Sequence, residues 1–221
     1  SKLKELSGKT LVKICGITSE KDASDAIRLG ADFIGLNFYK KSPRYIEPKK
    51  ASAIVNKIKG KVNVVGVFVD EPAANVRKIA KHCRLDLLQF SGNESAGYAK
   101  QFDLPVIKAI HVKGRESLGK ANAYDAEYIM LDAFRKGEYG GTGKTFDHSL
   151  VKNLNLFNAK RNGQFFPGKN RFAKNNARHL KEGKMLFIAG GLKPGNVAKV
   201  VKSVKPFAVD VASGVEIMPG K

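Results

Sequence analysis

The chain predicts an α/β protein of the (β/α)8, or TIM-barrel, class, and three observations carry that reading. Short apolar runs alternate with helix-like segments in a repeat of roughly 25 residues, eight runs in all. The runs are apolar almost throughout, as parallel strands with helices over their outer faces must be. A thiol, a carboxylate and two small-residue loops fall just after runs, at the end where parallel barrels carry their chemistry. Eight units favour a closed barrel over an open doubly wound sheet, and residues 1–221 fit a single domain.

Taken in order, Leu11, Val12 and Ile14 make 11–15 the first strand, which Gly16 and Thr18 end. A helix over 20–29 follows, with Ser19 as its cap. The strand at 32–38 precedes a helix over 48–58 with proline in its first turn. Strand 62–69 pairs with helix 73–81, strand 85–90 with helix 94–101, and strand 105–110 with a weaker helix near 116–123. Strands at 128–131 and 186–189 enclose the start of a helix at 149–153, and helix 197–204 leads to the last strand at 207–211.

Two places break the rhythm. About 40 residues separate Asp147 from Phe187 where one helix and a turn would suffice. Within them, residues 158–184 carry eight Lys/Arg against one Glu, with Gly163, Pro167 and Gly168 as breakers. This insertion between strands six and seven reads as a basic, partly mobile surface excursion with a helix at 174–181. After Gly214-Val215-Glu216 the chain reaches Lys221 with no segment that reads as an eighth helix. The expectation is a shortened last unit, or an excursion that covers that side.

Composition narrows the function. Cys15 and Cys83 form neither a disulfide framework nor a zinc spacing, which favours a reducing compartment. The polar first residues hold no signal-peptide core, and no apolar run nears the roughly 18 residues of a membrane span, so a soluble cytoplasmic protein is expected. Forty Lys+Arg against 20 Asp+Glu give a net charge of +20, which attracts phosphorylated metabolites and polyanions. Removing residues 158–184 takes away 7 of those charges and leaves +13, so the basicity is spread over the surface. No Trp and no basic-aromatic string supports RNA recognition, and an RNA-binding barrel stands only as the alternative.

Candidate chemistry lies at the strand ends. Cys15 closes the first strand, and period two aims it at the same face as Lys13, whose ammonium favours thiolate. Arg44 lies in the loop after strand two, with a planar fork suited to a carboxylate. Asp132 ends strand six, where a carboxyl at the mouth of an apolar core can act as a general acid. The stretch from Tyr139 to Asp147 holds Gly143-Lys144-Thr145 but lacks the glycine that phosphate-cradling spacing requires, so it reads as a rim loop able to close over a ligand. Gly190-Gly191 after strand seven and Ser213-Gly214 after strand eight let backbone N–H groups approach an anion, which predicts a phosphate site.

Together these segments resemble the phosphoribosylanthranilate isomerase family of tryptophan biosynthesis. The matching strings run from Val12 to Thr18, Phe38 to Ile46, Val65 to Val69, Gly140 to Asp147, Ala189 to Leu192 and Val209 to Glu216. The resemblance implies a cofactor-free, metal-free Amadori rearrangement of N-(5-phosphoribosyl)anthranilate. It assigns Asp132 as general acid, Cys15 as general base, Arg44 to the substrate carboxylate, and Gly190, Gly191, Ser213 and Gly214 to the phosphate. Gln89 and Asp210 match the family strings as further substrate contacts, the direction of Asp210 being open. A related sugar-phosphate aminoaldose isomerase is the nearest alternative, but such members carry a carboxylate where Cys15 stands. The chain departs from the family at Ser91, where histidine is usual, at Ala212, where serine is usual, and at His148, where tryptophan is usual.

Overall fold

The computed structural model describes residues 9–112, 117, 120–124, 126–132 and 184–221. Eight parallel strands close into a barrel in chain order: β1 (Leu11–Cys15), β2 (Phe33–Asn37), β3 (Asn63–Phe68), β4 (Leu87–Phe90), β5 (Val106–His111), β6 (Tyr128–Asp132), β7 (Met185–Ala189) and β8 (Ala208–Val211). β8 pairs back onto β1, with Lys13 opposite Asp210, so the sheet has no open edge. Helices α1 (Glu20–Arg28), α2 (Pro48–Ile58), α3 (Ala73–Cys83) and α4 (Pro194–Val204) link or follow the strands. The expected barrel is the observed fold.

Local sequence explains most boundaries. Ser19 caps α1 by accepting the Asp22 N–H at 3.1 Å, and Pro48 and Pro194 open α2 and α4 at positions that need no backbone donor. α2 buries Ala51, Ile54, Val55 and Ile58, the one-faced spacing of an amphipathic helix against a sheet. The expected helix over 94–101 is a short 3-10 turn, Tyr98–Gln101, instead. Glu94, which would have opened it, is buried: its carboxylate accepts from the Asp70 and Gly92 N–H groups and from Lys108 Nζ at 2.7 Å. The described part of the expected helix near 116–123 is likewise dominated by a 3-10 turn, Lys120–Ala123. The rim loop at 139–147, the helices at 149–153 and 174–181, His148 and the basic stretch 158–183 lie outside the described residues. After β8 the described chain forms a 3-10 turn, Ser213–Val215, and then the final residues to Lys221.

The barrel interior is apolar at the foot and polar at the mouth. Phe187 sits among Phe33, Tyr128 and Phe207, with ring centroids 5.6–5.7 Å apart, and fills the lower layers. The foot is stapled in pairs: Asp32 accepts the Val12 N–H, Asp86 the Val64 N–H and Glu127 the Val106 N–H, at 2.8–2.9 Å. Each acid just ahead of an even strand thus binds the start of the odd strand before it. The mouth is left to the side chains described next.

Candidate active site

Cys15 and Lys13 point into the barrel from β1, as their spacing predicts, because alternate residues of a strand share a face. Lys13 is fully buried, and its Nζ lies 2.7 Å from Asp210 Oδ1 on β8. That settles the direction of Asp210: it faces inward. Burial works against the Lys13 charge, but Asp210 and Cys15 outweigh it and hold the ammonium protonated. The Lys13 ammonium also acts on the Cys15 thiol and favours its ionised form.

The sequence reading that Lys13 favours thiolate holds for that one contribution and not for the sum. Burial dominates and, with Asp210, pushes the Cys15 thiol up, while Lys13 and then Arg44 pull it down. Gly35, opposite Cys15 in the β1–β2 register, makes room for the group: a Cβ there would lie 2.6 Å from the sulfur and 3.2 Å from Lys13 Nζ.

Arg44 reaches the same rim but is not a solvated side chain. Its Nε and Nη2 each donate at 2.6 Å to the two carboxylate oxygens of Glu216, a bidentate pair joining the loops after β2 and β8. Gly16, at φ +89°, allows this approach, since a Cβ there would stand 2.4 Å from Arg44 Cδ. Glu216 Oε1 also accepts the Gly220 N–H, and Thr18 Oγ1 donates to the Gly220 carbonyl at 2.5 Å.

Asp132 ends β6 facing the mouth, opposite His111 in the β5–β6 register. His111 Nδ1 lies 3.5 Å from Asp132 Oδ2, and the charge of Asp132 is felt by Asp210. Gln89 faces inward from β4, where its amide nitrogen donates to Ser91 Oγ at 3.1 Å. Its buried Oε1 has no hydrogen-bond partner among the described residues.

The two loops predicted to share an anion are in contact. Gly190 and Gly191 adopt φ of +91° and +64°, which turn the chain sharply after β7. The Asn196 amide fixes that turn, donating to the Gly191 carbonyl and accepting from the Lys193 N–H, both at 2.9 Å. Gly214 packs on it from the β8 side so closely that a Cβ would lie 1.8 Å from the Leu192 carbonyl oxygen. Ser213 stands beside it at the start of the 3-10 turn, and α4 begins just beyond. Backbone donors at a helix start and in such a turn form a ready cradle for an anion.

Two residues of the site escaped sequence reasoning. Glu216 as the partner of Arg44 carries no local signal, since 172 positions separate them. His111 did carry one, a polar residue closing an apolar strand, the same signal that singles out Asp132.

Cys15, Asp132 and His111 stand at one rim of a closed parallel barrel, and the chain is a (β/α)8-barrel enzyme. The family follows from comparison with known proteins. The model of the N-(5'phosphoribosyl)anthranilate (PRA) isomerase family matches residues 12–221, and the chain belongs to that family. It is 37% identical over 210 residues to N-(5'-phosphoribosyl)anthranilate isomerase of Trichlorobacter lovleyi, covering 95% of this chain and 90% of that one. The crystal structure of phosphoribosyl anthranilate isomerase from Thermotoga maritima superposes with a TM-score of 0.77 at 36% identity, covering 96% of this chain and 92% of that one. A family structure in complex with reduced 1-(o-carboxyphenylamino)-1-deoxyribulose 5-phosphate superposes at 0.74 and 33% identity, with 96% and 92% covered.

Proposed function

We propose that this chain converts N-(5-phosphoribosyl)anthranilate to 1-(2-carboxyphenylamino)-1-deoxyribulose 5-phosphate, an Amadori rearrangement of tryptophan biosynthesis. The observation that carries the reading is the family match over residues 12–221, with Cys15 and Asp132 both at the carboxyl ends of their strands. A relative holding the reduced product is consistent with a phosphorylated substrate carrying an aromatic carboxylate.

Asp132 donates a proton to the ribose ring oxygen while the bond from that oxygen to the anomeric carbon breaks. The anilino nitrogen lone pair then forms an iminium with that carbon. Cys15, as thiolate, takes the proton from the adjacent carbon, and the electrons move to give an enolamine that tautomerises to the ketose. Each proton transfer is worth about 10²–10⁴-fold. The touching loops with Gly190, Gly191, Ser213 and Gly214 bind the phosphate, and the net charge of +20 draws the anion in. Arg44 binds the substrate carboxylate through the guanidinium edge that Glu216 does not occupy. The orphan Gln89 Oε1 accepts a hydrogen bond from the bound substrate.

Steady-state turnover of N-(5-phosphoribosyl)anthranilate tests the reading. Cys15→Ala and Asp132→Asn should each lower kcat by about 10²-fold or more while the fold survives. Either variant within tenfold of the parent enzyme removes the role assigned to that residue.

A further inference from the structure

We propose that His111 is a positioning residue that completes the general acid: its imidazolium and the Asp132 carboxyl share one proton, which Asp132 delivers and His111 replenishes. The inference rests on the reaction proposed above, but its structural half can be tested without turnover.

The geometry supplies the argument. β5 and β6 place His111 and Asp132 as direct register partners at the barrel mouth, with Nδ1 3.5 Å from Oδ2. Such contacts in a free enzyme are often long and tighten once substrate is bound. The Ser91 backbone at the end of β4 also favours the charged ring. Half of the His111 side chain remains open to solvent, 55% against 26% for Asp132, which gives the pair a route for proton exchange. Among the described residues, the charged groups acting on Cys15 are Lys13, Asp210 and Arg44.

The charges around the ring agree. The hydrogen bond to Asp132 is the largest influence and raises His111 above its ordinary value. Partial burial and Lys108, on the outer side of β5, work against it, while the Ser91 backbone helps. From β8, Asp210 adds negative charge near Asp132, itself offset by Lys13. His111 therefore holds its proton more firmly than a free imidazole does.

The step balances as follows. The single shared proton passes from His111 Nδ1 to Asp132 Oδ2 and on to the ribose ring oxygen, which has taken the electron pair of its breaking bond. Neutral imidazole and carboxylate remain, and the exposed ring recovers its proton from water.

Two measurements decide the matter. In a proton NMR titration of the enzyme, His111 should ionise above its ordinary value of 6.5 and fall back towards it in Asp132→Asn. In kinetics, His111→Gln should lower kcat by about tenfold or more with little change in KM, and move the alkaline limb of the pH profile to lower pH by about one unit. His111→Asn, which is also uncharged, should behave the same way and guards against a folding defect in one variant. An unchanged pH profile in both variants, or a His111 titration indifferent to Asp132→Asn, overturns the proposal. Failure of the unmutated enzyme to turn over its substrate would instead sink the function, leaving the titration to judge the pair.

Discussion

Cys15 works under opposing influences. Burial, the largest, keeps the thiol protonated, while the Lys13 ammonium and the Arg44 guanidinium stabilise the thiolate. The proposed base is therefore scarce as thiolate but strong. We expect kcat/KM to climb with rising pH as thiolate accumulates, seen in steady-state rates across a pH series. Lys13→Met removes a stabilising charge, so this ascending limb should shift to higher pH. The same change leaves Asp210 buried without its cation, which should lower unfolding stability by about 3–5 kcal/mol. A limb that stays in place in this variant would separate Lys13 from the chemistry. Cys15, Asp132 and the glycines were legible in the sequence because each follows an apolar run, and the ends of parallel strands are where side chains and N–H groups meet a ligand. Arg44 was legible as a cation at the rim but not as the partner of Glu216, since nothing local says that the second and eighth loops meet.

Each strand brings its own means of attachment. β5 is fixed by Lys108, whose buried ammonium donates to the Gly92 carbonyl and to Glu94 at 2.7 Å and lies 5.4 Å from the Tyr124 ring centre. This pairing anchors residues 91–94 as a loop and takes Glu94 away from the start of the helix expected over 94–101. Amphipathic spacing cannot reveal it, because the partner on β5 is 14 residues away. At the foot, Asp86 holds β3 by accepting the Val64 N–H, yet burial pushes its own pKa up. A carboxyl raised in the folded state supports folding most fully at low pH, and that support fades as pH rises through the folded value. Asp86→Asn retains an acceptor and removes the buried charge, so its unfolding free energy at neutral pH should equal or exceed that of the parent. Asp86→Ala orphans the N–H and should cost about 1–3 kcal/mol. Denaturant unfolding of the two variants distinguishes acceptor from charge, and equal losses in both would contradict the account.

At the scale of the molecule, charge sets a balance between stability and capture. A net +20 repels itself within a compact body and attracts a phosphorylated substrate from a distance. Screening weakens both effects, since the Debye length falls from about 10 Å at 0.1 M salt to about 3 Å at 1 M. Added salt should therefore raise the thermal midpoint while it raises KM, and a KM indifferent to salt would show that the general field does not steer the substrate. The closed barrel was legible from alternation alone, because eight covered parallel strands have few other ways to hide their edges. Which loops touch across the mouth was not, because that depends on closure itself. The seam where the first and last strands meet is the clearest case. The ladder of hydrogen bonds and the Lys13–Asp210 ion pair join them, and above them Arg44 grips Glu216, Glu216 holds the Gly220 amide, and Thr18 holds the Gly220 carbonyl. The chain's final residues thus hang from the same guanidinium that faces the mouth. Occupation of the free edge of Arg44 should therefore be felt by residues 216–221, and their protection from proteolysis with and without a bound product analogue checks it.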